Sequence, residues 1–314
     1  MQAPAGVPLQ STSAKTLINA QSGLKFVKGP RWIGQKLLFL DIHDRSIKSA
    51  DLNGTVQIVG KLPFVPGGFG VLADGGLIVG DASRRKIYRW TSADPELIAD
   101  IGNVAGFCLS GGIVDSRGGM YVGDVGFDYL NPLVDPVPSG LIVHINADGK
   151  SSVVARDLFF PNGMVITPDN STFIVAETLG HRITAFEIEK DGSLQNRRVW
   201  AQFQDEIKPD GICMDREGAI WVAGTGTCAL RVREGGEIDH QITTKQPVFA
   251  TMLGGPERRH LFMCTSASQD PVITRRVPSA TIDVAEVNIP GSEAALPSRL
   301  ASRAEKRTKC APKG

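Results

Sequence analysis

The chain has 314 residues, of which 42% are hydrophobic and 21% charged, a composition typical of a folded globular protein and not of a disordered one. Lys and Arg number 34 against 33 Asp and Glu, so the net charge of +1 gives no overall field that would attract nucleic acid or a membrane surface. No apolar run approaches the ~18–20 residues of a membrane span.

Residues 1–23 are mostly small and polar without a periodic pattern, and we expect an N-terminal arm or an early edge strand there. They lack the basic start and the apolar stretch of a secretory signal. The five cysteines are scattered and form no C-x-x-C pair, which argues against a zinc site or a disulfide framework. Together these features predict a cytoplasmic protein.

From residue 24 onward one pattern recurs six times, a polar turn followed by an apolar strand. The first strong apolar residue of each copy lies 40 to 53 residues after the previous one: Leu37, Leu77, Met120, Phe173, Ile220 and Leu261. Such a period is typical of β-propellers, and no stretch shows the sustained 3.6-residue periodicity of βαβ units. We therefore predict an all-β, six-bladed β-propeller with four-stranded blades around a central channel over residues 24–290. The remaining residues, 291–314, are predicted to be a disordered basic tail.

The repeat also predicts which residues meet at one mouth of the channel. The innermost strand of each blade starts there, and five of the six starts carry a variable residue followed by Gly. The variable residues are Lys28, Gly67, Ser110, Asn162 and Asp210. Because equivalent positions on radially repeated blades converge, we expect these residues to be neighbours in space.

Four segments in order, one per blade, carry a family resemblance: G-P-R-W (29–32), F-P-N-G-M-V-I-T-P-D (160–169), K-P-D-G-I-C-M-D (208–215) and M-L-G-G-P-E-R-R-H-L-F (252–262). They resemble the SMP-30/gluconolactonase family, also called luciferin-regenerating-enzyme-like, over about residues 24–270. The resemblance implies a six-bladed propeller whose channel holds one divalent metal ion, often calcium, and it implies hydrolysis of small lactones.

The same resemblance assigns Asn162 and Asp210 as metal ligands. It is incomplete at the other ligand positions, where Lys28 replaces the usual Glu, and Ser110 with Gly111 replaces an Asn-Asp pair. Calcium takes six to eight oxygen ligands, several from carboxylates. We therefore expect either no cofactor or a weakly bound divalent cation, calcium being the first choice.

These residues suggest a lactone or small cyclic ester hydrolase in which Lys28 replaces the charge of the metal ion. Asp210 would act as general base, and Asn162 would donate a hydrogen bond to the developing oxyanion. Two alternatives remain open. One is a metal-independent lyase, isomerase or cyclase that uses Lys28 and Asp210 for acid–base chemistry. The other is a propeller that serves only as a binding module.

The substrate side is predicted from the turns between second and third strands, which share the mouth. The longest turn, 124–139, offers Phe127 and Tyr129 as part of an apolar lid. His43 and His181 on other mouth turns are proton-shuttle candidates. The substrate contacts predicted in full are Ser110, His43, His181, Phe127, Tyr129 and Met252. The expected partner is a small molecule, with no nucleic acid or membrane, and the chain is expected to be a monomer or a small homo-oligomer.

Overall fold

A computed structural model describes residues 9–91, 94–131, 133–204, 206–224 and 226–292. The predicted basic tail from residue 293 therefore lies outside the described residues. The described chain forms 25 strands, one short α-helix, α1 (Pro271–Arg276), and two 3-10 turns, Ala20–Ser22 and Ile42–Asp44. No helix in this part of the chain is long and apolar enough to cross a membrane.

The strands form six sheets, each built on antiparallel neighbours. Two strands precede the first blade: β1 (Gln10–Ser13) and β2 (Lys15–Ile18). Blades 1 to 3, from the inside outward, are β3 (Val27–Ile33), β4 (Lys36–Asp41), β5 (Ser46–Ala50), β6 (Val56–Lys61); β7 (Pro66–Val71), β8 (Leu77–Asp81), β9 (Lys86–Trp90), β10 (Glu96–Asp100); and β11 (Leu109–Val114), β12 (Met120–Asp124), β13 (Gly140–Ile145), β14 (Ser151–Leu158). Blades 4 to 6 are β15 (Pro161–Ile166), β16 (Thr172–Glu177), β17 (Arg182–Ile188), β18 (Leu194–Gln202); β19 (Ile212–Met214), β20 (Ile220–Ala223), β21 (Cys228–Val232), β22 (Ile238–Thr243); and β23 (Val248–Gly254), β24 (His260–Thr265), β25 (Thr281–Glu286) with β2.

This arrangement confirms the predicted all-β, six-bladed propeller. Each of the six apolar residues that defined the repeat lies within the first two residues of the second strand of its blade. The first strands, β3, β7, β11, β15, β19 and β23, contact their neighbours around the ring and surround the channel. The repeat was visible in the sequence because each second strand is buried on both faces and therefore reads as a continuous apolar run.

The ring is closed by the N-terminal segment. Strand β2 pairs antiparallel with β25 and supplies the outer strand of blade 6, so both ends of the chain share one sheet. Strand β1 adds in parallel to the outer edge of blade 5 through β22. Part of residues 1–23, for which we expected an arm or an early edge strand, thus belongs to the ring as edge strands. Its polar sequence reflects the exposure of outer edge strands.

Apolar side chains fill the wedge between every pair of neighbouring blades, giving six clusters. At the closure, between blades 6 and 1, the rings of Trp32 and Phe262 stack with their centroids 5.4 Å apart. Because each cluster belongs to two blades, burial of apolar surface holds the blades together around the ring.

The mouth turn of blade 6 is longer than the predicted 265–271. It spans residues 266–280 and contains α1. The Asp270 carboxylate accepts hydrogen bonds from the backbone N–H groups of Val272 and Ile273, and Pro271 occupies the first turn, both standard features of a helix start.

Candidate functional site

The first strands pack against each other closely where their starts converge. A Cβ atom added to Gly111 would lie 1.9 Å from the carbonyl oxygen of Asn162, and one added to Gly163 would lie 2.4 Å from that of Asp210. Only glycine permits such an approach. At Gly111, Gly163 and Gly211 the missing side chain therefore allows the next blade to pack closely, which brings the starts of blades 3 to 6 together.

Lys28 and Asp210 form an ion pair across the seam of blades 1, 5 and 6. The Lys28 ammonium donates hydrogen bonds to the Asp210 carboxylate and, at 2.9 Å, to the carbonyl oxygen of Phe249. The side chains are 20% and 7% exposed, respectively. Burial raises the pKa of Asp210, and the nearby Lys28 opposes this rise. The third N–H of the ammonium has no partner among the described residues.

Asn162 lies next to this pair but is held by other groups. Its Nδ2 donates to Thr178 Oγ1 at 3.2 Å, and that hydroxyl donates to the carbonyl oxygen of Pro209 at 2.8 Å. Through Thr178 the amide is tied to the residue that precedes Asp210. One N–H of the amide remains without a partner among the described residues.

Ser110 is bound to the backbone rather than to the charged pair. Its hydroxyl lies 2.5 Å from the carbonyl oxygen of Pro161 and 3.3 Å from that of Gly123. The hydroxyl hydrogen is therefore used to link blade 3 to blade 4. Its position at the start of β11 is as expected from the register, but its hydrogen bonds link parts of the fold.

The long turn of blade 3 contributes an aromatic group at the mouth. Phe127 is buried between the rings of Phe159 and Phe160, with centroid distances of 6.5 and 6.3 Å. Tyr129 packs edge-on against Phe160 and Phe107 and is 44% exposed. Of the two predicted lid residues, Tyr129 is accessible, whereas Phe127 anchors the turn.

The two histidines make local contacts. His43 stacks on Phe26 at 5.0 Å, and its Nδ1 lies 2.6 Å from Thr274 Oγ1. Burial, helped by the charge of Arg275, lowers the pKa of His43 from 6.5 to about 4, so its ring is neutral at pH 7. His181 Nδ1 donates to the carbonyl oxygen of Ile207 at 3.1 Å. Neither histidine contacts Lys28 or Asp210 in the described part of the chain.

Met252 is half-buried on β23 and packs against the apolar clusters on both sides of blade 6. It lies deeper in the blade than the ion pair. Its role as a substrate contact stays a prediction, as do the roles of the other site residues.

Two residues of the site were missed by the sequence analysis. Phe249 occupies in blade 6 the register position of Lys28 and Asp210, with Ala250 in place of the usual Gly. The Phe-Ala pair at this register position is the sequence feature that could have identified Phe249.

Arg31, on β3, reaches across the channel to carbonyl groups on blades 2 and 3. Little in the sequence singled out Arg31, because it lies within the G-P-R-W segment and was attributed to the family motif.

Buried carboxylates near the mouth are used by the fold. Strands β4, β8, β12 and β16 each end on an acid: Asp41, Asp81, Asp124 and Glu177. Each accepts backbone N–H bonds; Asp124, for example, binds the N–H groups of Gly106 and Phe107 at 2.7 and 3.0 Å. Three of the four fix the chain as it enters the first strand of its blade. Asp210 differs from them because its carboxylate accepts from a lysine instead of the backbone.

The residues at the mouth do not fit the calcium ion that the family resemblance implies. The described residues contain no group of three or more His, Cys, Asp or Glu side chains arranged to hold a metal ion. The Asp210 carboxylate already binds an ammonium, and a cation at that position would face its positive charge. One carboxylate and one amide oxygen are also too few for calcium.

Fold and site together define a six-bladed propeller with a charged pair at one mouth of its channel. The chain belongs to the SMP-30/Gluconolactonase/LRE-like family, whose model matches residues 26–267. It is 28% identical to regucalcin from Danio rerio over 48% of this chain and 50% of that protein. It is 26% identical to a 6-deoxy-6-sulfogluconolactonase from Pseudomonas putida over 48% of this chain and 54% of that protein. In these two comparisons the chain spans about half the length of the curated relatives it matches.

A similar solved structure is a calcium-binding regucalcin from Agrobacterium tumefaciens, with a TM-score of 0.75 at 18% identity. The similarity covers 91% of this chain and 98% of that one. At this identity the comparison supports the fold and says nothing about the chemistry of the site.

Proposed function

We propose that this protein is a hydrolase that opens a lactone or related small cyclic ester at the mouth of the channel. The observation that carries the proposal is the contact between the Lys28 ammonium and the buried Asp210 carboxylate. It places a fixed cation beside a base of raised pKa, two of the groups that ester hydrolysis requires. The family, and a relative named as a sugar lactonase, support this reaction class.

The first chemical step adds water to the lactone carbonyl. Asp210 takes a proton from the attacking water, and the oxygen of water bonds to the carbonyl carbon. The carbonyl oxygen gains negative charge and is stabilised by the unpartnered N–H of Lys28 and the second N–H of the Asn162 amide. Burial raises the pKa of Asp210 and makes it a better base, and the charge of Lys28 favours its ionised form.

The second step opens the ring. The tetrahedral intermediate collapses, the bond between the carbonyl carbon and the ring oxygen breaks, and the leaving alkoxide takes the proton held by Asp210. The base is restored, and the product is a hydroxy acid. At neutral pH this acid ionises, so each turnover releases one proton and can be followed by titration.

The proposal is tested by proton release from a panel of five- and six-membered sugar lactones. Lys28→Met removes the cation without adding a new charge, and we expect turnover to fall about 100-fold or more. The matched control is Lys25→Met, because Lys25 binds Asp44 at 3.1 Å outside the charged pair. It should keep activity within about twofold of wild type.

Two results would overturn the proposal. One is the absence of turnover by the wild-type protein for every lactone in the panel. The other is a Lys28→Met variant that hydrolyses lactones at the wild-type rate.

A further inference from the structure

A second cation lies in the channel, deeper than Lys28. Arg31 is three residues farther along β3, and its guanidinium donates to the carbonyl oxygens of Pro30 at 2.9 Å, Phe69 at 3.0 Å and Gly112 at 2.7 Å. These carbonyls belong to the first strands of blades 1, 2 and 3, so the guanidinium lies on the blade 1–3 side of the channel. The Lys28–Asp210 pair lies on the other side, at blades 1, 5 and 6.

Arg31 has no negative partner. No carboxylate lies within ion-pair distance of it among the described residues, and Asp210 is already paired with Lys28. The one titratable group that acts to raise the pKa of Arg31 is the Cys213 thiol, whose own pKa is raised to about 12 by burial. That thiol is neutral at pH 7 and supplies no counter-charge.

The described first strands, which surround the channel, therefore carry one uncompensated positive charge. The described first strands and the residues that begin them contain three charged side chains, Lys28, Arg31 and Asp210. Lys28 and Asp210 cancel, and Arg31 remains. Burial without a partner lowers the pKa of Arg31 to about 10, which still leaves it fully charged at pH 7. A buried cation of this kind is stabilised when an anion binds to it.

The guanidinium also keeps hydrogen-bonding capacity. Of its five N–H groups, three donate to the carbonyls named above, and two have no partner in the described part of the chain. Each carbonyl that Arg31 binds lies two residues farther along its strand than Lys28, Gly67 or Ser110. At the rise of a β-strand, two residues place the guanidinium about 7 Å deeper in the channel than the mouth residues. This spacing is close to the length of a five- or six-carbon sugar acid.

We propose that Arg31 forms an anion subsite in the channel and that the substrate is a lactone with a carboxylate at the end remote from its reactive carbonyl. This rests on the proposed function, since it assigns the substrate class of the same site. The ring carbonyl contacts Lys28 and Asp210 near the mouth. The remote carboxylate points down the channel toward the guanidinium and accepts a charge-assisted hydrogen bond from one of the two remaining N–H groups of Arg31, those on Nε and Nη1.

The test compares two lactones that differ at one group. D-glucaro-1,4-lactone carries a carboxylate at C6, and D-glucono-1,4-lactone carries a hydroxymethyl group there. The wild-type protein should prefer the glucaro compound by about tenfold or more, measured as KM if it is hydrolysed and by calorimetry if it is not. Arg31→Gln should abolish this preference, so that the glucaro and glucono compounds differ by less than about twofold.

Controls separate a local subsite from a general charge effect and from misfolding. Arg84→Gln removes a cation whose side chain is 68% exposed on the mouth turn of blade 2, and it should keep the preference. Arg31→Lys keeps the charge and should keep part of the preference. In the wild-type protein, acetate at constant ionic strength should compete with the glucaro compound but not with the glucono compound, a readout that does not depend on whether Arg31→Gln folds.

Failure of this inference and failure of the proposed function look different. A preference for the glucaro compound that depends on Arg31, without turnover, would support the subsite and overturn the hydrolase. Turnover of both lactones with equal KM, or an equal loss for both in Arg31→Gln, would overturn the subsite and leave the hydrolase intact.

Discussion

The two sides of the channel mouth share one backbone design and differ in chemistry. On the side of blades 3 and 4, the Ser110 hydroxyl binds backbone carbonyl groups, and the Asn162 amide donates one N–H to Thr178. On the side of blades 5, 6 and 1, Asp210 and Lys28 bind each other, and one N–H of the Lys28 ammonium has no partner among the described residues. The same register thus yields mainly structural links on one side and the proposed reactive pair on the other. Position in the repeat brings a side chain to the mouth, and its hydrogen-bond partners decide whether it is available for chemistry.

The largest effect is expected from removing the base on the reactive side. Asp210→Asn keeps the size of the side chain and an acceptor for Lys28 but cannot take a proton. We expect turnover to fall by about 10²–10⁴-fold with the fold intact, measured by proton release and by near-ultraviolet circular dichroism. Asp169→Asn, in an exposed turn whose carboxylate binds Thr167 and Ser171, is the matched control and should stay near wild type. A fast Asp210→Asn variant would exclude this carboxylate from catalysis.

A second test rebuilds a metal site on the side of the mouth that carries Lys28 and Asp210. The double variant Lys28→Glu with Ser110→Asn introduces the side chains that the family resemblance implies at these positions. With Asp210 and Asn162 it supplies enough oxygen ligands for calcium. We expect calcium to bind in calorimetric titration and to raise the melting temperature, because a ligand of the native state stabilises it.

The competing interpretation of Lys28 is a passive ion pair that only closes the channel. It predicts that Lys28→Glu destabilises the protein by apposing two carboxylates and that activity does not change. Absence of calcium binding in the double variant would show that Lys28 or Ser110 does not lie at the metal-ligand position.

The fold and half of the mouth were predictable from the sequence, for a physical reason. The second strands are buried on both faces, and the first strands need glycine at each close approach, so both leave a repeated pattern. That pattern located Lys28 and Asp210, which are 182 residues apart and in contact. Hydrogen-bond partners leave no such pattern. The sequence could not show that Ser110 binds a carbonyl group of Pro161 or that Phe127 is buried by its neighbours.

The N-terminal strands and the sixth mouth turn were harder to predict for a related reason. Strand β2 is an outer strand of a closed ring, so its polar sequence resembles that of an unstructured arm. Helix α1 has six residues, too few to show a helical period. In both cases the structure depends on distant pairing or on capping by one residue, and a local pattern carries little of that information.

A smaller effect is expected from pH at the rim of the reactive side. The pKa of His43 is about 4 in the folded chain and 6.5 in the unfolded one, so between these values only the unfolded chain binds the proton. Stability should therefore fall as pH drops from about 6.5 to 4. His43→Phe keeps a ring against Phe26 and does not titrate. Between pH 6.5 and 4, the His43→Phe variant should lose less free energy of unfolding than the wild-type protein, by about 1–2 kcal/mol after allowance for the exposed part of the His43 ring.

Chemical denaturation at pH 7 and pH 4.5 measures this difference. Equal pH dependence in the wild-type and His43→Phe proteins would show that His43 titrates normally in the folded state.

The smallest effect is expected on the structural side of the mouth. Ser110→Ala removes the hydrogen bond to Pro161 and leaves that carbonyl without its donor, so the free energy of unfolding should drop by about 1 kcal/mol. Turnover should change less than about threefold, since Ser110 links two blades and does not contact the charged pair. A loss of activity comparable to that of Asp210→Asn, with stability unchanged, would move Ser110 into the reactive group.

The central claim is that the Lys28 ammonium supplies the charge that a metal ion supplies elsewhere in the family. It is tested most directly by lactone hydrolysis before and after exhaustive chelation, with the metal content of the protein determined in parallel. We predict the same rate in the presence of chelator, no gain on adding calcium, and loss of that rate in Lys28→Met. Activity that disappears with chelator and returns with calcium would contradict the claim.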